Sequence, residues 1–197
     1  MDQARRRFTT ALGLAGAGLS LACHSAIAAE TVAGGDELAS LSAEVRAFHE
    51  RCMRLAIEQA RKNRLYPFGA VIVRTGTGEV LARGANAAGD NPILHGEIAA
   101  MNDYVQRHGN HGWEGAALYT TGEPCPMCMS ALAWAGLRQV VWATSIAGIR
   151  RAGIPQIEIG AREVAAKAAS FYTPTLLLGG VLAHETDRLF AERQRAG

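Results

Sequence analysis

Two short motifs bring together residue types that bind metal ions and transfer protons. A His-Gly-Glu motif occupies residues 95–97, and a Pro-Cys-Pro-Met-Cys motif occupies residues 124–128. His95, Cys125 and Cys128 offer one imidazole and two thiolates, which are common zinc ligands, and a fourth position would remain for water. Structural zinc sites normally have four protein ligands, so this set of three predicts a catalytic zinc ion, Zn²⁺.

Glu97 is placed where a proton carrier would be useful. It lies two residues after the histidine, so its carboxylate can reach the water at the fourth position without binding the ion. Zinc lowers the pKa of such a water towards neutrality, and a nearby carboxylate can accept the proton. The sequence therefore predicts that Glu97 is catalytic. His108 and His111 are further candidate ligands, but their Gly- and Asn-containing loop predicts that they face solvent.

Each motif opens a predicted helix, so two neighbouring helix starts can direct three ligands towards one point. The helices are predicted over residues 95–106 and 127–135. Further helices are predicted over 38–61, 161–170 and 182–192, and strands over 69–73, 79–82, 116–120, 140–143 and 175–178. This alternation predicts a single α/β domain whose sheet is covered on both faces. Cys52, within the first helix, is predicted to be a buried hydrophobic residue.

Composition excludes several classes of protein. The chain has 197 residues, of which 49% are hydrophobic, so it is long and apolar enough for one folded domain and is not disordered. Beyond the N-terminus no unbroken apolar run reaches 18 residues, which excludes a polytopic membrane protein. Outside residues 1–28 the chain has 17 basic and 17 acidic residues, so it lacks the positive charge of proteins that bind nucleic acid through phosphates.

The N-terminus has the pattern of a secretory signal. Arg5 and Arg6 precede a phenylalanine, a mildly apolar run rich in Ala, Gly and Leu follows, and an Ala-Ile-Ala cleavage site completes the pattern. Paired arginines with a weakly apolar run are typical of the twin-arginine type. We therefore predict a signal peptide over residues 1–28, a mature domain over 29–197 and a periplasmic location. Two alternatives stay open, namely lipid attachment at Cys23 and an amphipathic first helix.

The two motifs together resemble those of the cytidine/deoxycytidylate deaminase superfamily of zinc deaminases. Flanking segments at residues 66–73, 82–86 and 118–124 are similar to the branch with guanine deaminases and tRNA adenosine deaminases. The resemblance extends over about residues 46–190, nearly all of the predicted mature domain. It implies a three-layer α/β/α fold, with a mixed sheet of about five strands and helices on both faces.

The resemblance also implies a role for each residue of the site. His95, Cys125 and Cys128 would bind zinc, and Glu97 would move a proton from water to a ring nitrogen and then to the departing amine. Asn86 matches a position that hydrogen-bonds the base, although it is also suited to cap the end of a strand. A position that packs on the face of the base is matched by Phe68, although a phenylalanine there also suits the core.

The resemblance implies a zinc-dependent hydrolase that cleaves a cyclic amidine C–N bond and releases ammonia from a small aminated nucleobase or nucleoside. A guanine-type purine is the first candidate substrate, and cytosine is the second. Two positions depart from the family pattern: residues 144–149 lack the acidic residue that guanine deaminases often have there, and Gly96 stands where the family often has alanine. A tRNA adenosine deaminase is the first alternative, and a zinc-stabilised binding protein without turnover is the second. The expected partner is a small molecule rather than nucleic acid, and the resemblance implies a homodimer.

Overall fold

The computed structural model describes residues 34–193 of the chain. The predicted signal peptide, its cleavage site and Cys23 lie outside these residues. The helices in the described range are α1 Gly34–Ser40, α2 Ala43–Ala60, α3 Gly96–His108, α4 Pro126–Ala135, α5 Ile146–Arg151, α6 Ala161–Lys167 and α7 Ala183–Glu192. The strands are β1 Gly69–Arg74, β2 Val80–Ala85, β3 Ala116–Gly122, β4 Gln139–Thr144 and β5 Leu176–Leu178.

The strands form one mixed sheet in the order β2-β1-β3-β4-β5. β1 runs antiparallel to both of its neighbours, β2 and β3. β4 runs parallel to both of its neighbours, β3 and β5. The start of β1 and the ends of β2, β3 and β4 therefore meet at one edge of the sheet. Phe68, Asn86 and the Pro-Cys motif adjoin these strand ends, so the topology gathers the predicted site residues at that edge.

Alternate residues of the central strands pack into two separate cores, one on each face of the sheet. Ala70 and Ile72 of β1 contribute to the core beneath α3, α4 and α6. Val71 and Val73 contribute to the core beneath α2, which also contains buried Cys52 as predicted. The three-layer α/β/α fold with five strands is confirmed.

Two glycines allow α3 to begin directly against the strands. A Cβ on Gly84 of β2 would lie 2.1 Å from the carbonyl oxygen of Gly96, and a Cβ on Gly96 would lie 2.8 Å from that of Phe68. Neither distance leaves room for a side chain without movement of the backbone. The absence of Cβ atoms here therefore sets how closely the N-terminus of α3 approaches the sheet edge.

The structure differs from the sequence prediction at several elements, among them β2, which ends at Ala85 rather than at residue 82. The helix predicted over 38–61 is divided into α1 and α2, because the hydroxyl of Ser42 accepts a hydrogen bond from Val45 and caps a new helix. α5 was not predicted, since a helix of six residues is too short for apolar periodicity to show. α6 ends at Lys167, three residues before its predicted end.

None of the described helices is both long and apolar enough to cross a membrane.

Candidate active site

The three predicted metal ligands lie at the starts of two helices. His95 is the N-cap residue of α3, and Cys125 is the N-cap residue of α4, both with extended backbone. Pro126 follows as the first residue of α4, where its fixed φ suits a helix start and its missing N–H is not needed. Cys128 is in the first turn of α4 and is fully buried. The prediction that helix starts converge is therefore met in the structure.

The distances among the ligand atoms fit a tetrahedral zinc ion. Cys125 Sγ and Cys128 Sγ each lie 3.6 Å from His95 Nδ1, and the three atoms lie within 4.8 Å of one another. Typical Zn–S and Zn–N bond lengths at tetrahedral angles place a sulfur and a nitrogen about 3.6 Å apart. We call these three residues the zinc-ligand group. In the described part of the chain, no other cluster of three or more His, Cys, Asp or Glu side chains is arranged to hold a metal ion.

The other candidate histidines do not join the zinc-ligand group. His111 is exposed, as predicted. His108 is half-buried at the end of α3, with Nε2 3.0 Å from the carbonyl oxygen of Leu81, so the prediction that it faces solvent is wrong. The reason is that α3 extends to His108 and carries its ring against Tyr104 and β2.

Hydrogen bonding favours the thiolate form of Cys125. The interaction with the Cys128 thiol, together with the hydrogen bond to His95, lowers the pKa of Cys125 to about 4. The same interaction raises the pKa of Cys128. Metal ligation requires deprotonated sulfur, so the site already stabilises one of the two thiolates.

Glu97 is buried beside the zinc-ligand group but is not part of it. Its side chain is only 3% exposed, and Oε2 lies 3.6 Å from Cys128 Sγ. Burial raises the pKa of Glu97 to about 7, and the neighbouring Cys125 charge contributes in the same direction. A carboxyl group with a pKa near neutrality can both accept and release a proton.

A cavity of about 170 Å³ opens onto His95, Glu97 and Cys125. We call it the site cavity. Asn86 and Phe68 also line it, together with Tyr66. The structure therefore brings both predicted substrate-binding residues to the zinc-ligand group.

The contacts of Asn86 and Phe68 show what holds each of them in place. Asn86 Oδ1 accepts the N–H of Ala88 at 3.0 Å, while the described residues supply no acceptor for its amide nitrogen. Asn86 thus caps the end of β2 and still has a free donor at the site cavity. The ring of Phe68 is half-buried and packs 4.9 Å from that of Phe190, so it contributes to a small core while lining the cavity. Their roles in substrate binding stay predictions.

A known protein family matches the segment of the chain that contains the site. The model of the cytidine and deoxycytidylate deaminase zinc-binding region matches residues 46–144, which include every member of the zinc-ligand group. The chain belongs to the cytidine and deoxycytidylate deaminase family. This is a family of zinc-dependent hydrolytic deaminases, and the donor set at residues 95, 125 and 128 fits its metal.

Curated relatives of this family member include deaminases with different substrates. The chain is 34% identical over 108 residues to a guanine deaminase of Bacillus subtilis (strain 168), covering 54% of this chain and 68% of that protein. It is 36% identical over 98 residues to the tRNA-specific adenosine deaminase of the same strain, covering 47% and 60%. A probable cytosine deaminase of Schizosaccharomyces pombe is 30% identical over 88 residues, covering 45% and 53%. The chain thus spans only part of each relative.

Solved structures of related deaminases have the same fold. A guanine deaminase from Nitrosomonas europaea superposes with a TM-score of 0.63 at 23% identity, covering 74% of this chain and 84% of that one. A tRNA:A34 deaminase superposes with a TM-score of 0.57 at 27% identity, covering 71% and 98%. The family assignment and the fold therefore agree.

Sequence reasoning missed two polar residues of the site cavity, Glu123 and Gln156. Glu123 Oε2 accepts the N–H of Ile146 and Oε1 accepts that of Ala161, each at 2.9 Å. Gln156 belongs to the connection between α5 and α6, which no local sequence pattern linked to the site. Glu123 had one signal, because it adjoins the Pro-Cys motif, but its partners lie 23 and 38 residues away in the sequence.

Proposed function

We propose that the protein is a zinc-dependent deaminase that hydrolyses a small aminated nucleobase or nucleoside and releases ammonia. This proposal depends on one observation, the position of Glu97. It is a buried carboxylate beside three metal ligands, it faces the site cavity, and it is not itself a ligand. A purely structural zinc site has no use for such a group.

The chain's own residues divide the work of the reaction. The zinc-ligand group would hold the metal, which when bound supplies activation of a water molecule for attack at neutral pH. Glu97 accepts a proton from that water and delivers it to a ring nitrogen of the substrate. The oxygen of that water adds to the amino-bearing carbon, Glu97 passes the remaining proton of the water to the amine, and the C–N bond breaks as the carbonyl forms. Ammonia and a ring carbonyl are the products.

The site cavity favours a small, uncharged heterocycle. Its volume of about 170 Å³ is below the range of about 300–1,000 Å³ that is usual for drug-sized ligands. Asn86 would hydrogen-bond one edge of the ring, and Phe68 would pack on its face. Similarity to the Bacillus subtilis guanine deaminase supports a guanine-type purine as the first candidate, with cytosine next.

A tRNA adenosine deaminase is the second candidate, and its support is the 36% identity to the tRNA-specific enzyme of Bacillus subtilis. The balance of acidic and basic residues outside residues 1–28 weighs against it, because tRNA binding depends on phosphate contacts.

A screen for ammonia release tests the proposal. Zinc-loaded protein is incubated with guanine, cytosine, adenine, their nucleosides, triazines and a tRNA anticodon stem-loop. We expect release from at least one small heterocycle, with Glu97→Gln as the inactive control. Release from the stem-loop alone would favour the second candidate. No release from any compound by zinc-loaded protein would favour a binding protein without turnover.

The proposal includes export, supported by the arginine pair and the apolar run that follows it. A twin-arginine signal requires both arginines, so Arg5→Lys with Arg6→Lys should retain the protein in the cytoplasm. Cell fractionation of the host measures this. Unchanged export of the double variant would contradict a twin-arginine signal.

The proposal also includes a homodimer, which rests on the family resemblance. Sedimentation velocity on zinc-loaded protein tests it. A single species with the mass of one chain across the measured concentrations would contradict the dimer.

A further inference from the structure

One wall of the site cavity is formed by a connection whose central residues make little backbone hydrogen bonding. Ile154, Pro155 and Gln156 line the cavity, and we call them the cavity wall. They lie in the connection between α5 and α6, residues 152–160. Within the described residues, the backbone of 155–159 makes one hydrogen bond, from the N–H of Ile159 to the carbonyl oxygen of Ile157. Residues 155–159 therefore do not hold their shape through backbone hydrogen bonds, whereas Ile154 is held by its packing against Ile149 and Phe190.

Glu123 holds the starts of the two helices that flank this connection. Its carboxylate accepts the N–H of Ile146, which opens α5, and the N–H of Ala161, which opens α6. Its backbone N–H donates to the carbonyl oxygen of Thr144 at 2.7 Å, which ties it to the end of β4. Glu123 lies two residues before Cys125. A single carboxylate thus connects the strand that leads to the zinc-ligand group with the two helices that carry the cavity wall.

Gln156 is the polar side chain that the cavity wall presents. It is half-buried, and within the described residues its amide has no hydrogen-bond partner. Each oxygen of Glu123 accepts a backbone N–H group, and these two bonds fix the side chain in place. The free amides at the cavity belong to Asn86 and Gln156. An amide offers one donor and one acceptor without charge, which suits the edge of a neutral ring.

We propose that Glu123 is a positioning residue that fixes the cavity wall so that Gln156 reads the edge of the substrate ring. This inference rests on the proposed function for the identity of the substrate, but the anchoring of the wall does not. Glu123→Gln keeps one acceptor oxygen and replaces the other by an NH₂ group, which cannot accept a backbone N–H. The start of α5 or the start of α6 should then be released.

Hydrogen exchange tests the anchoring without a substrate. In zinc-loaded, full-length Glu123→Gln, the amide of Ile146 or that of Ala161, whichever loses its acceptor, should exchange about 10-fold faster than in wild type, while those of α3 stay unchanged. Glu163→Gln is the matched control, because it removes the same charge from an exposed position in the first turn of α6. Unchanged exchange in Glu123→Gln would overturn the proposal, whatever the substrate screen finds.

A second variant keeps the test valid if Glu123→Gln does not fold. A Cβ on Gly160 would lie 3.0 Å from Glu123 Oε1, so Gly160→Ala crowds the same contact without changing the carboxylate. It should speed exchange over the same residues by a smaller factor. Exchange equal to wild type in a folded Gly160→Ala would count against the anchor.

Kinetics on the substrate from the screen test the role of Gln156. Gln156→Ala should raise KM by about 5- to 30-fold with little change in kcat, since it removes a hydrogen bond to the bound ring. Glu123→Gln should raise KM in the same direction, and adding Gln156→Ala to it should cost less than about 2-fold more. If the KM increases of the two single variants multiply in the double variant, Glu123 does not act through Gln156. If no compound is deaminated, the proposed function fails while the exchange result still decides the anchor.

Discussion

The two sides of the site cavity are built in opposite ways. On one side, His95 and Cys125 cap long helices that pack on the sheet, and Cys128 and Glu97 are almost fully buried. On the other side, the cavity wall lies in a connection between two short helices whose starts are both bound by one carboxylate. The ligand side is fixed by the packing of the whole domain, whereas the wall is fixed by the contacts of Glu123 with its flanking helices and by the packing of Ile154 in a small cluster. On the function proposed above, we expect changes to the wall to alter substrate binding without disturbing the zinc-ligand group or Glu97.

The largest effect is expected from breaking the ligand side itself. His95→Ala or Cys125→Ala should reduce zinc from about one ion per chain to near none, abolish activity and lower the melting temperature, because bound metal contributes to folding. Metal analysis and thermal unfolding measure these changes. Cys52→Ala is the matched control, since Cys52 is buried in the core on the opposite face of the sheet. Full zinc content in the ligand variants would show that other residues bind the metal.

Glu97 should separate chemistry from metal binding on the same side. Glu97→Ala and Glu97→Gln should keep zinc and fold but lose about 10²–10⁴-fold in kcat, as expected for removal of a general acid–base. Zinc content and ammonia release are measured on the same preparations. Loss of zinc together with activity would make Glu97 a ligand and would close the fourth position. Retention of both would require a different base.

Gly96→Ala tests how tightly the ligand side is packed. The added Cβ would lie 2.8 Å from the carbonyl oxygen of Phe68, which is backbone and cannot move aside cheaply. We expect a loss of about 1–3 kcal/mol in the free energy of unfolding, measured by denaturant titration. Gly89→Ala is the matched control, because a Cβ there meets nothing within 4 Å. Equal stability of the two variants would show that α3 can shift, and that the ligand side is less fixed than its packing indicates.

The same contrast explains which parts of the site the sequence could predict. His95, Glu97, Cys125 and Cys128 were predictable because each motif is local and opens a helix, and the strand order then brings the two helix starts together. Glu123 and Gln156 were not, because their roles arise from contacts with a connection that has no periodic pattern.

The fold shows the same division between periodic and non-periodic signals. The five strands and the long helices carry apolar periodicity and were found in order. α5 was missed because six residues do not complete two helical turns. The division between α1 and α2 was missed because it depends on one capping hydroxyl rather than on a change of pattern.

The smallest effect is expected from the surface of the wall. Arg150 Nη1 and Glu158 Oε2 form an ion pair at 2.6 Å, but the side chains are 45% and 65% exposed. Exposed pairs contribute at most about 1 kcal/mol, and salt screens them. Glu158→Gln should therefore change KM by less than about 2-fold, and the difference from wild type should vanish at high ionic strength. Glu123→Gln should keep its higher KM at both salt concentrations, since its partners are half-buried backbone groups. If Glu158→Gln raised KM as much as Glu123→Gln, the exposed ion pair would position the wall as much as the Glu123 hydrogen bonds do. The contrast between the two sides of the cavity would then be wrong.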